Sequence, residues 1–398
     1  MQPNSPILYI EINKTEYIFA VGLNDDENHF KLIHKESIPI QGITNNKITD
    51  FKLVHDTLKK NIYLIEQKIN FTFKETILII NNFDYSIVNL TGYKKLNGSQ
   101  LLKENITYIL NSLKANINEF EKNKTILHIF NSKYCLDKKN IENLPVGLFG
   151  DFYSQELSFS LINNNDYKNL NNIFSKFNIR IKKIFLKGFL EGAYLIGEKK
   201  NLDSFFKIEI NTSDSQLIFF DNASLKFVEN FQFGSDLILN DISKIISLKK
   251  ETIKKIISNS ILKKIISEEE FLEKEYFKNE NFRKIKKKLI HDIALARIQE
   301  VAELILLKNI NVRSFLKEQI PIYLNINDEA NFRCFRESYE FSFSSEKKLI
   351  VNYQENITFE NTLNDARKIA YFGWKKEAVP IINAKKSLIA RFFEALFN

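Results

Sequence analysis

Two strand-like segments of this chain end in the same residues, whose types suit a site for a metal ion and phosphate groups. Residues 10–13 read Ile-Glu-Ile-Asn, and residues 208–211 repeat that order. The carboxylates of Glu11 and Glu209 could hold Mg²⁺, which prefers oxygen ligands. Phosphate groups would also need backbone N–H donors at close range, which glycine allows. None of the 11 glycines lies in the turn after either acid, and no two are adjacent. The repeat therefore predicts a duplicated core with incomplete phosphate turns.

The elements around the first acid alternate between strand and helix. Residues 7–21 read as a strand, a turn and a strand, and a helix over residues 50–69 leads to a strand at 76–80. Residues 83–162 read as short strands around one helix near 100–115, which indicates an inserted α+β module. The first half then resumes with a helix at 166–178 and with the strand and helix of residues 179–196.

The second half repeats this rhythm after a polar joint at residues 197–204. Strands are predicted at 206–210, 216–220 and 225–231, and residues 241–307 read as mostly helical. A strand at 321–326, a helix near 329–339 and a helix over 362–376 complete it.

Composition limits the class of protein. The chain has 398 residues, which is enough for several subdomains. The net charge of +8 suits an acidic partner or an anionic membrane face, but the lysines are scattered among asparagines, so a purely compositional origin stays open. Cys135 and Cys334 form no CxxC pattern, which argues against a disulfide framework or a zinc site and favours a reducing cytoplasm. No apolar run is long enough to span a bilayer, so we expect a soluble or peripheral protein.

The most distinctive segment spans residues 127–193. It contains a histidine-led strand, a Tyr-x-x-Asp turn and a Pro-x-Gly corner, carried by His128, Tyr134, Asp137, Pro145, Gly147 and Gly150. This order resembles the centre of FtsA, the actin-like family of bacterial division proteins. The resemblance implies an α/β, two-lobed actin-like ATPase fold with a duplicated core and an inserted small α+β subdomain.

The resemblance also implies how the chain is divided. In the terms used for that family, the expected parts are subdomain 1A at residues 1–82 and 163–200, the inserted SHS2-type subdomain 1C at 83–162, subdomain 2A at 201–240 and 320–377, subdomain 2B at 241–319, a short linker at 378–384 and an amphipathic helix at 385–398.

Segments that bind nucleotide in this family have counterparts here without their glycines. Residues 11–14 stand for Asp-Ile-Gly-Thr, residues 209–214 for Asp-Ile-Gly-Gly-Gly-Thr, and residues 324–327 for Leu-Thr-Gly-Gly. The nucleotide-binding positions that the resemblance implies are Glu11, Asn13, Lys14, Glu209, Asn211, Thr212, Ser213, Gly234 and Asn325.

We expect nucleotide binding at these positions to be weak or lost, with the cleft acting as a hinge. Asn13 and Asn211 are the next best residues after glycine at positive φ, so the turns can form, but their side chains crowd the space for an anion. No catalytic residue, resident metal or certain cofactor is predicted. A divergent but competent pocket for ATP with Mg²⁺ stays open as the alternative.

The helix segment at residues 296–301 is the predicted partner site. It resembles a stretch of subdomain 2B, which in this family receives the acidic and hydrophobic C-terminal peptide of the ring protein FtsZ. The contact residues carried over from the helix are Arg297 and Glu300, and the nearby basic run at residues 283–288 adds Lys286 and Lys287. By itself such a run is typical of a solvated helix face.

The last residues predict an amphipathic helix that lies in a membrane surface. Its expected membrane-binding residues are Lys385, Lys386, Leu388, Ile389, Arg391, Phe392, Phe393 and Leu396. Pro380 separates it from the preceding helix, and the short connection spans about 20 Å at most. The alternative is a terminal helix packed on the protein's own core.

The resemblance thus implies a division adaptor. We expect it to polymerise with itself at the cytoplasmic face of the anionic inner membrane, to tether FtsZ there and to bind later divisome membrane proteins, with no nucleic acid partner and no enzymatic activity. One alternative is a pilus-assembly protein of the same fold, which recruits a peptide of a membrane partner. Another is a sugar or acetate kinase, which would need intact glycine turns and a catalytic acid.

Overall fold

The structure is a computed structural model that describes residues 5–24, 30–81, 83–258, 269–277, 280–316, 320–344, 349–354 and 357–378. The chain forms two compact units. Unit 1 comprises the described residues of Met1–Leu190 and Leu363–Asn398, and unit 2 comprises those of Glu191–Thr362. No helix within the described ranges combines the length and apolar character needed to cross a bilayer.

Unit 1 contains a mixed sheet and an inserted module. In chain order, up to the helix that leads into unit 2, the elements are β1 (Ile7–Ile12), β2 (Glu16–Asn24), β3 (Phe30–Pro39), β4 (Ile43–Thr44), β5 (Lys47–Ile48), α1 (Phe51–Ile69), β6 (Glu75–Ile80), β7 (Tyr85–Lys95), α2 (Lys103–Phe120), β8 (Lys124–Leu136), β9 (Lys139–Ile141), β10 (Phe152–Asn163), α3 (Asn164–Lys176), β11 (Arg180–Leu186) and α4 (Lys187–Glu198).

The sheet of unit 1 has the order β11-β6-β1-β2-β3. β1, β2 and β3 form an antiparallel meander, and β6 and β11 run parallel to β1. β1 and β6 are almost continuously buried, as expected for strands covered on both faces. The predicted helix at residues 50–69 is α1, capped by the Asp50 side chain, with Val54, Leu58, Ile62 and Ile65 on its buried face.

The inserted module is an antiparallel sheet of order β7-β10-β8-β9 covered by α2. α2 runs about three residues later than predicted, and β7, β8 and β10 have 11, 13 and 12 residues, so these strands are long and not short. The length follows from their continuous pairing across the module, in which β10 lies between β7 and β8.

Unit 2 repeats the mixed sheet. Its elements are β12 (Phe205–Ile210), β13 (Ser215–Asp221), β14 (Ser224–Phe231), α5 (Asp236–Ile246), α6 (Lys250–Ser258), a short 3₁₀ helix (Lys274–Phe277), α7 (Lys287–Ala302), a π-helical end (Glu303–Leu307), β15 (Ile322–Ile326), α8 (Glu329–Ser344) and β16 (Val351–Tyr353), and α9 (Phe359–Phe372) leads from unit 2 back into unit 1.

The second sheet has the order β14-β13-β12-β15-β16, with an antiparallel meander and two parallel strands as in unit 1. β12 is therefore the counterpart of β1, and Glu209 occupies in unit 2 the position that Glu11 occupies in unit 1. The duplicated core predicted from the repeated Ile-Glu-Ile-Asn is present.

Two predicted elements differ from those observed. The basic run at residues 283–288 is not a helix face, because α7 begins only at Lys287 and the Arg283 guanidinium donates to the carbonyls of Ile246 and Ser247 at the end of α5. The predicted helix at 362–376 ends at Phe372, since Gly373 adopts a left-handed φ of 80°.

Candidate functional site

The turns after β1 and β12 share one backbone design. The Asn13 N–H donates to the Glu16 carbonyl at 2.9 Å, and the Asn211 N–H donates to the Asp214 carbonyl at 2.9 Å. Neither asparagine is among the described residues with positive φ, so the expectation of left-handed turns was wrong. The reason is that each turn closes through an ordinary hairpin hydrogen bond, which needs no glycine-like conformation.

The acid of unit 1 is held by a lysine. Glu11 is 1% exposed, and the Lys187 ammonium at the start of α4 donates to its Oε1 at 2.8 Å. The second oxygen, Oε2, and the side-chain carbonyl of Asn13 have no hydrogen-bond partner within the described part of the chain. The carboxylate charge is thus neutralised within unit 1.

The acid of unit 2 is also held by a lysine. The buried Lys207 ammonium lies 3.1 Å from Glu209 Oε2 and 2.6 Å from Glu191 Oε2. Burial alone would lower the pKa of Lys207, but the two carboxylates raise it above its ordinary value, so the lysine is charged at neutral pH. Asn327 donates to the other oxygen of Glu209 at 2.8 Å.

The turn after β12 is closed by hydrogen bonds from the start of α5. The N–H groups of Ser235 and Asp236, at the start of α5, donate to the carbonyls of Asn211 and Thr212, both at 2.9 Å. A Cβ at Gly234 would lie 2.1 Å from the Asn211 carbonyl oxygen, so glycine is required for this close approach. Backbone donors that could face an anion at the start of this helix are therefore already bonded to the turn.

Side chains complete this closure. The Asn211 side chain donates to Asp214 at 3.0 Å and accepts from Asn327 at 2.7 Å. The Ser235 hydroxyl donates to Asp328 at 2.8 Å. The predicted position Asn325 lies within β15, directly opposite Glu209 in the sheet, and is 9% exposed. Lys14 and Ser213 lie in exposed parts of their turns.

A cavity of about 360 Å³ adjoins the turn of unit 2, and its lining residues are Thr212, Leu239, Lys254, Lys255, Ile257, Ser258, Asn327 and Asp328. It lies beyond the carboxyl ends of the parallel strands β12 and β15, where open α/β sheets bind ligands. Lys254 and Lys255 place positive charge beside this cavity, and Asp328 places a carboxylate there. Lys254, Lys255 and Asp328 were not among the residues predicted from the sequence. Of these three residues, only Asp328 could have been predicted, because it closely follows a predicted strand and site residues often lie at strand ends.

The predicted partner residues occupy two places on α7. The Arg297 guanidinium pairs with Asp241 of α5 and, at 2.5 Å, with Glu300. Lys287 is buried and pairs with Glu273 at 2.8 Å, and this hydrogen bond lowers the pKa of Glu273. Lys286 is exposed just before the helix. Ten helical residues, or about 15 Å, separate Lys287 from Arg297, so the fold does not bring all four together.

The motif of residues 128–150 builds the inserted module. The Asp137 carboxylate accepts from the N–H groups of Asp151 and Phe152, both at 2.8 Å. Gly147 has a φ of 88°, and a Cβ at Gly150 would lie 2.6 Å from a methyl group of Leu136. These residues therefore fix the corner between β9 and β10. The predicted membrane-binding residues 385–398 and most of the linker lie outside the described residues.

No family model matches the chain, and no curated protein matches it in sequence. Solved structures do match it in fold. A chain of the PilM–PilN type IV pilus biogenesis complex aligns with a TM-score of 0.51 and 8% identity over 92% of this chain and 96% of that one. The chain has the actin-like ATPase fold.

Two further structures align over similar lengths with lower scores. MreB5 of Spiroplasma citri bound to ADP gives a TM-score of 0.42 and 10% identity over 92% of this chain and 95% of that one. The ethanolamine utilization protein EutJ from Carboxydothermus hydrogenoformans gives 0.41 and 7% over 92% and 90%. The two mixed sheets and the inserted α+β module agree with the fold class expected from the sequence.

Proposed function

We propose that this chain is an actin-like adaptor that binds a peptide of a membrane partner and does not hydrolyse ATP. The observation that carries the proposal is the pairing of each strand-end acid with a lysine, Glu11 with Lys187 and Glu209 with Lys207. A magnesium site needs carboxylate oxygens that are free to face the ion or its water shell. Here an ammonium group bonds to one oxygen of each acid, and in unit 2 Asn327 bonds to the other oxygen. Of these four carboxylate oxygens, Oε2 of Glu11 has no hydrogen-bond partner among the described residues.

The cost of freeing these acids supports the same proposal. Lys207 is 2% exposed, and displacing it would leave a buried cation without its counterions. In unit 2 the backbone donors at the start of α5 would also have to exchange their bonds with the turn for bonds to phosphate. A phosphate ligand would favour neither change, because the Asp214 carboxylate in the same turn repels it.

The fold suggests which class of partner to test first. One of the solved structures that align with this chain is the PilM–PilN type IV pilus biogenesis complex. By analogy of fold, we propose a pilus-type assembly role at the cytoplasmic face of the membrane, in which the chain recruits a peptide segment of a membrane protein.

A second candidate is the division adaptor, which polymerises at the inner membrane and tethers FtsZ. Two observations favour it: the order of motif residues between His128 and Gly150 resembles FtsA, and Arg297 with Glu300 lies on an accessible part of α7. Binding an acidic peptide there would require Arg297 to exchange Asp241 for the ligand carboxylate.

Two assays separate these functions. The first measures ATP hydrolysis with Mg²⁺, for which we expect no activity above background. A hydrolysis rate that disappears in Glu11→Gln would refute the adaptor proposal, as would phosphoryl transfer to a sugar or to acetate.

The second assay measures binding by fluorescence anisotropy of two labelled peptides, one from the PilN-type partner and one from the C-terminus of FtsZ. Binding of the first alone supports the pilus role. Binding of the second, lost in Arg297→Glu but kept in the control Lys59→Glu on the exposed face of α1, supports the division role. The absence of both contradicts the adaptor proposal.

A further inference from the structure

The strand β7 forms one edge of the inserted module's sheet. It pairs with β10 over residues 85–95, and no strand among the described residues pairs with its other side. The backbone N–H and C=O groups that point to that side can pair with another extended segment, as they do when a strand is added to a sheet edge. The module therefore offers an edge of 11 residues to another strand.

β7 lacks the features that protect the other edge strands. Proteins discourage pairing at an edge with charged residues, proline or a short strand. β3 carries two lysines and a proline, β11 carries an arginine and two lysines, and β14 carries a lysine and a glutamate. β9 and β16 have three residues each. β7 has neither a charged residue nor a proline from Tyr85 to Tyr93, so it is the long unprotected edge within the described ranges.

The two ends of β7 carry opposite charges. Leu90 packs against the core of the module, and Lys94 follows on the same face of the strand by alternation. The Lys94 ammonium lies 4.9 Å from the centre of the Tyr108 ring of α2. Asp84 precedes the other end of the strand, is exposed and accepts from Asn46 at 2.9 Å. The edge thus has a negative end, an uncharged middle and a positive end.

This order of charges is complementary to an antiparallel copy of itself. When two β7 strands pair about a two-fold axis at Asn89, Lys94 of each chain lies opposite Asp84 of the other. A parallel copy would place lysine beside lysine, which is unfavourable. On the opposite face of the strand, the same antiparallel register brings Tyr93, which is 64% exposed, opposite Tyr85. Aromatic pairs across neighbouring strands stabilise a sheet.

We propose that a second copy of this chain adds to β7, so that the two four-stranded modules form one continuous sheet through antiparallel pairing of their β7 strands. Both chains use the same surface in such an interface, and association therefore closes at two copies. The filament expected of a division adaptor would need a different, heterologous contact that continues to grow. The dimer does not depend on which peptide the chain recruits.

Sedimentation velocity of the full chain tests the association first. We expect a reversible equilibrium between monomer and dimer at concentrations up to about 100 µM, at which associations of micromolar affinity are populated. No larger species should form through this edge, because pairing uses it up. A chain that stays monomeric at that concentration, or that forms only open-ended polymers, overturns the proposal.

Introduced cysteines test the register, in a background in which Cys135→Ser and Cys334→Ser remove the native thiols. Asn89→Cys lies at the proposed axis, where opposite Cβ atoms are about 5 Å apart, so mild oxidation should link two chains. Thr91→Cys is the matched control on the same face of the same strand. It would lie about 13 Å from its copy and should stay unlinked. Equal linking of both variants, or of neither, would overturn the proposal.

Charge reversal tests the pairing of Lys94 with Asp84. Lys94→Glu and Asp84→Lys each place like charges opposite one another at two symmetric positions, so each should raise the dimer Kd by about fivefold or more. The double variant restores opposite charges and should return the Kd to the wild-type value. Lys59→Glu, at an exposed position of α1, is the control and should leave the Kd unchanged. A double variant as weak as either single variant would contradict the proposed pairing.

Discussion

The substitution Lys207→Met tests whether the acid of unit 2 depends on its lysine. Methionine fills a similar volume, so the main change is the loss of a buried cation from between two carboxylates 2.6 and 3.1 Å away. Removing one partner from a buried ion pair costs about 3–5 kcal/mol. Glu191 and Glu209 are 13% and 24% exposed, so solvent reduces the penalty and we expect a loss near the lower end, about 3 kcal/mol.

The assay is urea unfolding at pH 7, with a thermal scan as the second measurement. For a unit of this size, a loss of about 3 kcal/mol corresponds to a fall in Tm of roughly 6–12 °C. The matched control is Lys244→Met on the exposed face of α5, which should stay within about 0.5 kcal/mol of the wild type.

The stability lost in Lys207→Met should depend on pH in a defined direction. In Lys207→Met the two glutamates lack their counterion, so their protonation relieves the penalty. The difference from the wild type should therefore be largest above about pH 5 and should narrow as the pH falls through the ordinary range of glutamate. The triple variant with Glu191→Gln and Glu209→Gln added should recover most of the lost stability, because no charge is left unpaired.

A loss below about 1 kcal/mol in Lys207→Met, without any pH dependence, would refute this reasoning. It would mean that water or another cation replaces the ammonium at little cost. The acids would then be available to a metal ion, and the main support for the adaptor proposal would be lost.

Three further predictions concern other parts of the chain. Glu377 of unit 1 forms an ion pair with Lys183, and although burial opposes its ionisation, His128 and Lys183 lower its pKa to about 2. Glu377 therefore contributes stability above pH 4.5 that is lost as the pH drops towards 2. Acid titration of Glu377→Gln should lack this component, on the order of 3 kcal/mol. Gly234→Ala should destabilise unit 2 by about 1–3 kcal/mol in urea, since a Cβ would meet the Asn211 carbonyl at 2.1 Å, and an unchanged midpoint would contradict that contact. Phe392→Glu with Phe393→Glu should abolish sedimentation with anionic liposomes, and retained binding would mean that another surface attaches the protein to the membrane.

The fold was predictable where local patterns report directly on burial. The run of apolar residues in β1 and β12 required strands covered on both faces, and the spacing of Val54, Leu58 and Ile62 required the buried face of α1. The repeated Ile-Glu-Ile-Asn placed both acids at equivalent strand ends, and the structure has them there.

The site was predictable only in part. The missing glycines predict incomplete phosphate turns, and this stays a prediction. The expected conformation of the residues in their place was wrong, since neither Asn13 nor Asn211 has a positive φ and each turn closes through a hairpin hydrogen bond. The basic run at residues 283–288 reads as one helix face in sequence. In the fold, Arg283 caps α5 and Lys287 is buried against Glu273, because these groups meet partners far away along the chain.

The sequence by itself determined the duplicated sheets, the inserted module and the absence of glycine from both turns, because these depend on the identity of neighbouring residues. Only the tertiary structure decided what the acids do. Lys187 lies 176 positions from Glu11, and Asn327 lies 118 positions from Glu209. Such pairs form because folding brings strand ends and helix starts together. Lys207 is the exception, since it lies two residues before Glu209 in β12 and residues at that spacing share one face of a strand.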